Sequence, residues 1–248
     1  IKHFVLDKIL LLVVIILRRR KIGRPKRQNI RLVRTLFLVL IAVVLVGGTI
    51  LAVYIHDSVP EISVCLDPGH GDHDPGAVSG DRQEKDDNLR IALLVRDNLE
   101  AKGIRVYMTR DDDTFLSLEE RCALANKKKC TLFVALHRNS AESGNGVEVW
   151  VENTPEKVDW ALAENILNGL SEAGISKARG VKSGYVHNPD GNYYVNAHTK
   201  MPSCLVELGF ITSDTDNALF DEHLNDYAKE IADAIEKTLQ EQVETTTA

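Results

Sequence analysis

Apolar runs and amphipathic stretches alternate along the chain from residue 62 onward. Short apolar runs bounded by glycine, proline or aspartate are typical of buried strands, whereas apolar positions that recur every three to four residues are typical of helices. The predicted strands cover residues 61–67, 104–110, 130–137, 146–152 and 203–210, and the predicted helices cover 87–103, 117–129, 154–174 and 224–239. This alternation predicts an α/β fold: a single domain with a mainly parallel sheet and helices on both of its faces.

Capping residues locate the ends of two predicted helices. Ser117 lies three residues before Glu120, the spacing of a capping box, so a helix is predicted to begin there. Thr154 is predicted to cap the next helix, with Pro155 at its first position and Gly174 at its end.

Residues 35–55 form a different kind of apolar run, which holds no charged side chain. As a helix, its 21 residues would rise about 30 Å, the thickness of a bilayer core. We interpret the run as an uncleaved transmembrane anchor, in preference to a cleaved signal peptide or a buried helix. For the shorter run 4–17, which contains Asp7 and Lys8, a second span, an interfacial helix and sequence upstream of the true start all stay open.

Charge is distributed unevenly along the chain. Residues 1–34 hold eleven basic side chains and one acidic one, whereas the remainder carries a net charge of −16. A body this acidic disfavours nucleic acid as a partner, and the positive-inside rule makes the basic segment cytoplasmic. The predicted organisation is a basic segment over 1–34, an anchor over 35–55, a linker over 56–61, a folded domain over 62–240 and a polar, frayed tail over 241–248.

The four cysteines are Cys65, Cys122, Cys130 and Cys204. A location outside the membrane permits disulfides. Cys65 and Cys204 lie within apolar strand-like runs, however, where a small buried thiol is equally natural, so free thiols are the favoured interpretation. The sequence holds no C-x-x-C pair, which disfavours a zinc site built from cysteines.

Residues that suit metal chemistry stand at the carboxyl ends of predicted strands. His70 follows the first strand in a glycine-rich turn, His137 ends a second strand, and Glu207 lies near the end of the last one. Glu84 lies just ahead of a predicted helix and can reach the same rim. In an open α/β sheet, the functional crevice lies beyond these strand ends.

Two imidazoles and a carboxylate are a ligand set typical of hydrolytic zinc, which leaves one coordination position for water. In this hypothesis His70, Glu84 and His137 bind the metal, and Glu207 is the general base. The alternative is that these residues are ordinary polar caps of strands. The chain has neither an H-E-x-x-H helix nor a local pair of ligands, so a metal site would have to be assembled from distant segments.

Five segments resemble, in order, the zinc-dependent N-acetylmuramoyl-L-alanine amidases of the Amidase_3 type. They are LDPGHGDHDPGA, EKDDNLRIAL, TRDDDTFLSLEERCALAN, LFVALHRNS and MPSCLVELGFITSDTDNALF, spread over residues 62–240. The resemblance implies one zinc ion per chain, held by His70, Glu84 and His137, with Glu207 as the catalytic carboxylate. It also implies hydrolysis of the amide between N-acetylmuramic acid and L-alanine in peptidoglycan, in wall turnover, cell separation or spore-cortex processing.

Some residues depart from the family pattern. Arg138 stands where a small residue is usual, and either substrate binding or exposure to water suits it. Asn139 belongs to the motif and is a second candidate for substrate binding. His73 is a spare imidazole that more naturally points to solvent.

Together, these observations predict a single-pass protein of the bacterial cell membrane with its catalytic domain on the outer, wall side. Its predicted partners are peptidoglycan, the membrane through residues 35–55, and an activating protein; nucleic acid is not expected. Two alternative functions stay open: a zinc peptidase that acts on stem peptides, and a catalytically silent module that binds the wall.

Overall fold

The computed structural model describes residues 35, 37–48, 62–188 and 190–247. The chain divides into two units, residues 1–60 and residues 61–248. The predicted basic segment over 1–34, including the run 4–17, and the predicted linker over 56–61 lie outside the described residues.

The predicted single-pass anchor over 35–55, and with it the predicted location at a cell membrane, is wrong. Across the described residues, no helix combines the length and the apolar character needed to cross a bilayer. Residue 36 and residues 49–55 of the predicted anchor lie outside the described residues.

The second unit is built on a six-stranded sheet. Its strands are β1 (Ser63–Pro68), β4 (Arg105–Met108), β5 (Leu132–Asn139), β6 (Val147–Val151), β7 (Ala178–Ser183) and β8 (Ser203–Phe210). Their order across the sheet is β4-β1-β5-β8-β6-β7. All neighbours are parallel except β6 and β8, which are antiparallel. A separate two-stranded sheet pairs β2 (Val78–Ser79) with β3 (Arg82–Gln83). The prediction of a mainly parallel sheet is confirmed.

Helices cover both faces of the sheet, as predicted. They are α1 (Glu84–Ala101), α2 (Leu118–Lys128), α3 (Lys157–Glu172), α4 (Tyr194–His198), α5 (Asp214–Glu222) and α6 (Leu224–Thr247). Apolar side chains of α1, α3 and α6 share one buried cluster with one face of the strands, and side chains of α2 and α4 share a second cluster with the other face.

The two faces of β5 show how strand alternation sorts the side chains. Leu132, Val134 and Leu136 belong to the first cluster, whereas Phe133 and Ala135 belong to the second. Because successive side chains point to opposite faces, His137 follows the second set and Arg138 follows the first. The same alternation in β6 and β8 decides which residues meet in the functional site.

Helix boundaries differ from the prediction in several places. The capping box of Ser117 and Glu120 is confirmed. The predicted cap at Thr154 is wrong, because α3 begins at Lys157 with Glu156 and Asp159 forming its box. Helix α1 begins at Glu84, three residues early, and α6 continues to Thr247 through the predicted frayed tail. The sequence pattern does not predict β7, α4 or α5.

Candidate active site and metal centre

The turn after β1 brings His70 to the rim of the sheet. Its backbone adopts a left-handed conformation, with φ of 65°. A Cβ at Gly69 would lie 2.1 Å from the His137 ring, so only glycine permits this approach. A Cβ at Gly76 would lie 2.6 Å from both Glu84 and His70. Glycine at these two positions therefore lets the backbone of the turn pack directly against the side chains of His70, Glu84 and His137.

Three predicted ligands meet at that point. The Oε1 atom of Glu84 lies 3.2 Å from Nε2 of His70 and 2.9 Å from Nδ1 of His137. One ligand atom from each residue falls within 4.8 Å of the others, and this group is able to hold a metal ion. The histidine rings are edge to face, with centroids 5.1 Å apart.

Hydrogen bonds from outside the group orient His70 and Glu84. Asp74 Oδ2 lies 2.8 Å from Nδ1 of His70, which leaves Nε2 to face Glu84. The carboxylate of Glu84 accepts the backbone N–H of Ala77 at 2.8 Å and that of Arg138 at 3.1 Å. A carboxylate or backbone group behind a ligand is the arrangement that fixes ligand geometry in metal sites, and His70 and Glu84 both have one.

These contacts shift the protonation of the group. Burial opposes ionisation of Glu84, but hydrogen bonds from His137 and His70 outweigh it and hold the pKa of Glu84 well below its usual range. Burial likewise disfavours the charged form of His70, yet Glu84 and Asp74 outweigh it and raise the pKa of His70 to about 9. The carboxylate is therefore ready to bind a cation, which would compete with the proton on His70.

Glu207 lies beside the group, on the strand next to His137. The register of β5 and β8 pairs His137 directly with Glu207, and Glu207 is only 9% exposed. Among the described residues, its Oε2 atom is buried and has no hydrogen-bond partner. Burial, followed by the negative charges of Glu84 and Glu148, raises the pKa of Glu207 to about 8.

A second carboxylate faces Glu207 from β6. The antiparallel register pairs Glu148 with Glu207, so both side chains point to the same face. Oε1 of Glu148 accepts from Asn139 at 3.0 Å and from Trp150 at 3.1 Å. Its Oε2 lies 2.6 Å from a nitrogen of Arg179 and 2.6 Å from Nζ of Lys182.

The site opens into a cleft of about 740 Å³. Its lining includes Phe115, Leu118, Tyr185, Val186 and Tyr193. Phe115, Leu118 and Val186 are 38%, 49% and 53% exposed, so the cleft offers apolar surface to a ligand. His73 is also exposed and packs on the Phe115 ring at 4.4 Å.

The structure thus brings His70, Glu84, His137 and Glu207 together. It does not bring the Arg138 guanidinium to the cleft, because that side chain is fully buried on the opposite face of β5. Asn139 lines the cleft, but its amide nitrogen is committed to Glu148 and its oxygen to the backbone of Ser140.

Sequence reasoning missed two polar residues of this site. Asp74 stands four residues after His70 in a turn rich in aspartate, so nothing in the pattern distinguishes it from an ordinary turn residue. Glu148 carried a usable signal, since it is a single acidic residue within the apolar strand GVEVWV. The four cysteines are buried free thiols, as the favoured interpretation held.

A family model described as N-acetylmuramoyl-L-alanine amidase matches residues 64–240 of this chain. The N-acetylmuramoyl-L-alanine amidase LytC of Bacillus subtilis is 38% identical over 157 residues, which are 62% of this chain and 30% of LytC. The chain thus spans about a third of that relative's length.

Solved structures resemble the same part of the chain. The amidase AmiC2 of Nostoc punctiforme is 36% identical with a TM-score of 0.65, over 73% of this chain and 98% of that one. The amidase CwlD of Clostridioides difficile, solved in complex with the GerS lipoprotein, is 27% identical with a TM-score of 0.66, over 72% of this chain and 98% of that one.

Proposed function

The chain belongs to the N-acetylmuramoyl-L-alanine amidase family, and we propose that it uses a zinc ion and a buried glutamate for its reaction. That reaction is hydrolysis of the amide between N-acetylmuramic acid and L-alanine in peptidoglycan. His70, Glu84 and His137 would hold the ion. Glu207 would carry the proton. We also propose that residues 62–240 form the catalytic unit.

The donor set supports zinc. Tetrahedral zinc with bonds of about 2.0–2.1 Å places its ligand atoms roughly 3.3 Å apart. The separations of 3.2 Å and 2.9 Å from Glu84 to the two histidines are close to that value. Two imidazole nitrogens and one carboxylate oxygen also match the ligand types of hydrolytic zinc sites, which keep a further position open.

A zinc ion held by these residues would supply a Lewis acid for the carbonyl and would lower the pKa of a bound water molecule. Glu207 has the properties of the proton carrier in this reaction. Its Oε2 atom lacks a hydrogen-bond partner within the described part of the chain, and burial raises its pKa to about 8. A carboxylate of this kind accepts a proton from the attacking water and returns it to the leaving alanine nitrogen.

The observation that carries this proposal is the convergence of three ligand atoms within 4.8 Å, next to a buried carboxylate with a free oxygen. The experiment is to purify the full chain, measure its zinc content, and incubate it with purified peptidoglycan. We expect one zinc per chain and intact stem peptides with a new alanine amino end by mass spectrometry. Shortened stems would favour the peptidase, and bound zinc without any product would favour the wall-binding module.

An activating protein partner remains part of the proposal. The CwlD structure holds a lipoprotein partner, which is a precedent for protein partners of this fold. A pull-down with the full chain, followed by the peptidoglycan assay with and without the captured protein, tests it. We expect the product yield to rise when the partner is present.

A further inference from the structure

Arg138 lies between two residues of the site on β5 but faces away from the cleft. Its side chain is 0% exposed. The guanidinium donates from Nη1 to Asp87 at 2.5 Å and from Nη2 to Asn217 at 2.7 Å. Its central carbon also lies 4.4 Å from the centroid of the Phe220 ring. A buried arginine with this many partners is fixed in one position.

The backbone of Arg138 makes a different contact. Its N–H donates to Oε1 of Glu84 at 3.1 Å, the same oxygen atom that lies 2.9 Å from His137. Glu84 and Asp87 belong to the first turn of α1, where residues three apart share a face. One residue therefore binds this turn twice, through its main chain at Glu84 and through its side chain at Asp87.

The sheet is irregular beside this N–H. The register of β5 and β8 shifts between His137 and Asn139, which flank Arg138. The Arg138 side chain reaches across the irregularity to β8, where Nε donates to the Gly209 carbonyl at 3.3 Å. Bulges of this kind often re-aim side chains beside active sites.

We propose that Arg138 is a positioning residue that fixes the distance between Glu84 and His137 for the metal. It ties together α1, which carries Glu84, β5, which carries His137, and β8, which carries Glu207. Without the guanidinium, the first turn of α1 would no longer be held against the bulge, and the two ligand atoms would separate. The inference rests on the proposed function, because it assumes that these ligands hold zinc.

The test is the zinc dissociation constant of the full-length Arg138→Met variant, measured by competition with a chelating dye. Residues behind the ligands typically contribute about 10- to 100-fold in metal affinity. We expect at least about a tenfold weakening, with an intermediate loss for Arg138→Lys, which keeps the charge but not the planar fork. The melting temperature of the metal-free protein is recorded alongside.

Arg82→Met is the matched control. Arg82 binds the same Asp87 at 2.6 Å and lies over the same Phe220 ring. Its guanidinium extends from there to Asp221 on α5, at 2.8 Å, and not to the proposed metal ligands. Because either arginine remains on Asp87 when the other is removed, neither variant strips that buried carboxylate of its partners. We expect Arg82→Met to lower the melting temperature while zinc affinity stays within about twofold of the wild type.

Unchanged zinc affinity in Arg138→Met would overturn the inference, and so would an equal loss of affinity in Arg82→Met. If Arg138→Met does not fold, Asn217→Ala removes one partner of the guanidinium without altering α1 or β5. We then expect about a threefold weakening, and an unchanged constant in both Asn217→Ala and Arg138→Lys would overturn the inference. Failure of the wild type itself to bind zinc would instead reject the proposed function.

Discussion

Two carboxylates face each other across β6 and β8, and their surroundings differ sharply. Glu148 accepts hydrogen bonds from two neutral donors and contacts two cations, whereas Glu207 has a buried oxygen with no partner among the described residues. Both side chains are at least nine-tenths buried. The two carboxylates are similarly buried, but only the charge of Glu148 is compensated by neighbouring donors and cations. Burial therefore has opposite consequences for their ionisation.

The pKa values follow this difference. Burial alone would raise the pKa of Glu148, but Arg179 and Lys182 outweigh it and lower the pKa below its ordinary value. Burial and like charge raise the pKa of Glu207 to about 8. A compensated carboxylate stabilises the fold, while an uncompensated one is ready to exchange a proton near neutral pH.

The largest effect is expected from Glu207→Gln, which keeps the shape of the side chain and removes its ability to take a proton. Turnover should fall about a thousandfold or more, because general-base catalysis contributes on the order of a hundred- to ten-thousandfold. Zinc content and melting temperature should stay close to the wild type. Product release from peptidoglycan measures turnover, and metal analysis measures the zinc content.

Loss of zinc from Glu207→Gln would contradict the assignment of Glu207 as the proton carrier and would move it into the ligand set. Glu84→Gln provides the contrast. This variant should lose zinc and turnover together, because Glu84 contacts both histidines.

Glu148→Gln should affect stability more than turnover, the reverse of Glu207→Gln. Removing its charge leaves Arg179 and Lys182 without their buried acceptor, so the free energy of unfolding should fall by about 1–3 kcal/mol. Turnover should fall by less than about tenfold, because the proposed proton carrier is Glu207 and not Glu148. Urea unfolding and the peptidoglycan assay check the two expectations.

Glu172→Gln, at the exposed end of α3, is the control for the loss of one negative charge. This variant should change neither the free energy of unfolding nor turnover. If Glu148→Gln abolished turnover as completely as Glu207→Gln, the distinction between a stabilising and a reactive carboxylate would be wrong.

The same two residues show how far the sequence could predict the site. Glu207 was predictable, because it lies near the carboxyl end of its strand, and in an α/β sheet that edge points to the functional crevice whatever the rest of the fold is. Glu148 is the second residue of β6, and its position beside Glu207 depends on β6 running antiparallel to β8 and on the register between them. Local pattern does not determine register between strands far apart in sequence.

Strand β7 escaped prediction for a related reason. It is an edge strand whose sequence ARGVKS has little apolar character. Two of its residues, Arg179 and Lys182, form ion pairs with Glu148 instead of packing in the apolar core. For Arg138 the sequence left substrate binding and exposure to water open, and the buried position of the side chain fits neither. Strand alternation turns it to the opposite face, where Asp87 from α1 compensates its charge.

A smaller effect is expected from Lys182→Met, which removes one of the four partners of Glu148. Its side chain is 33% exposed, so solvent weakens the ion pair, and the free energy of unfolding should fall by about 0.5–1 kcal/mol. Turnover should stay within about twofold of the wild type. The control is Lys229→Met, which removes an exposed ion pair on α6 and should leave both the free energy of unfolding and turnover unchanged. A larger effect of Lys229→Met than of Lys182→Met would count against a special role for Glu148.

Stability of the metal-free protein is also expected to depend on pH. The Glu207 carboxyl keeps its proton up to about pH 8 in the folded state, whereas its ordinary value is 4.5. Between these values the folded state binds more protons than the unfolded state, so the contribution of Glu207 to stability is lost as pH rises. His70, with its pKa raised to about 9, loses its contribution in the same direction from 6.5 upward.

The difference in unfolding free energy between the wild type and Glu207→Gln isolates the first contribution, because His70 is present in both proteins. This difference should decline steadily from about pH 5 to about pH 8 in urea titrations of the metal-free chain. Adding Glu148→Gln to both proteins should shift the decline to lower pH, since removal of a neighbouring negative charge lowers the pKa of Glu207. A difference that is flat across this range would mean that Glu207 is compensated after all, and the contrast with Glu148 would disappear.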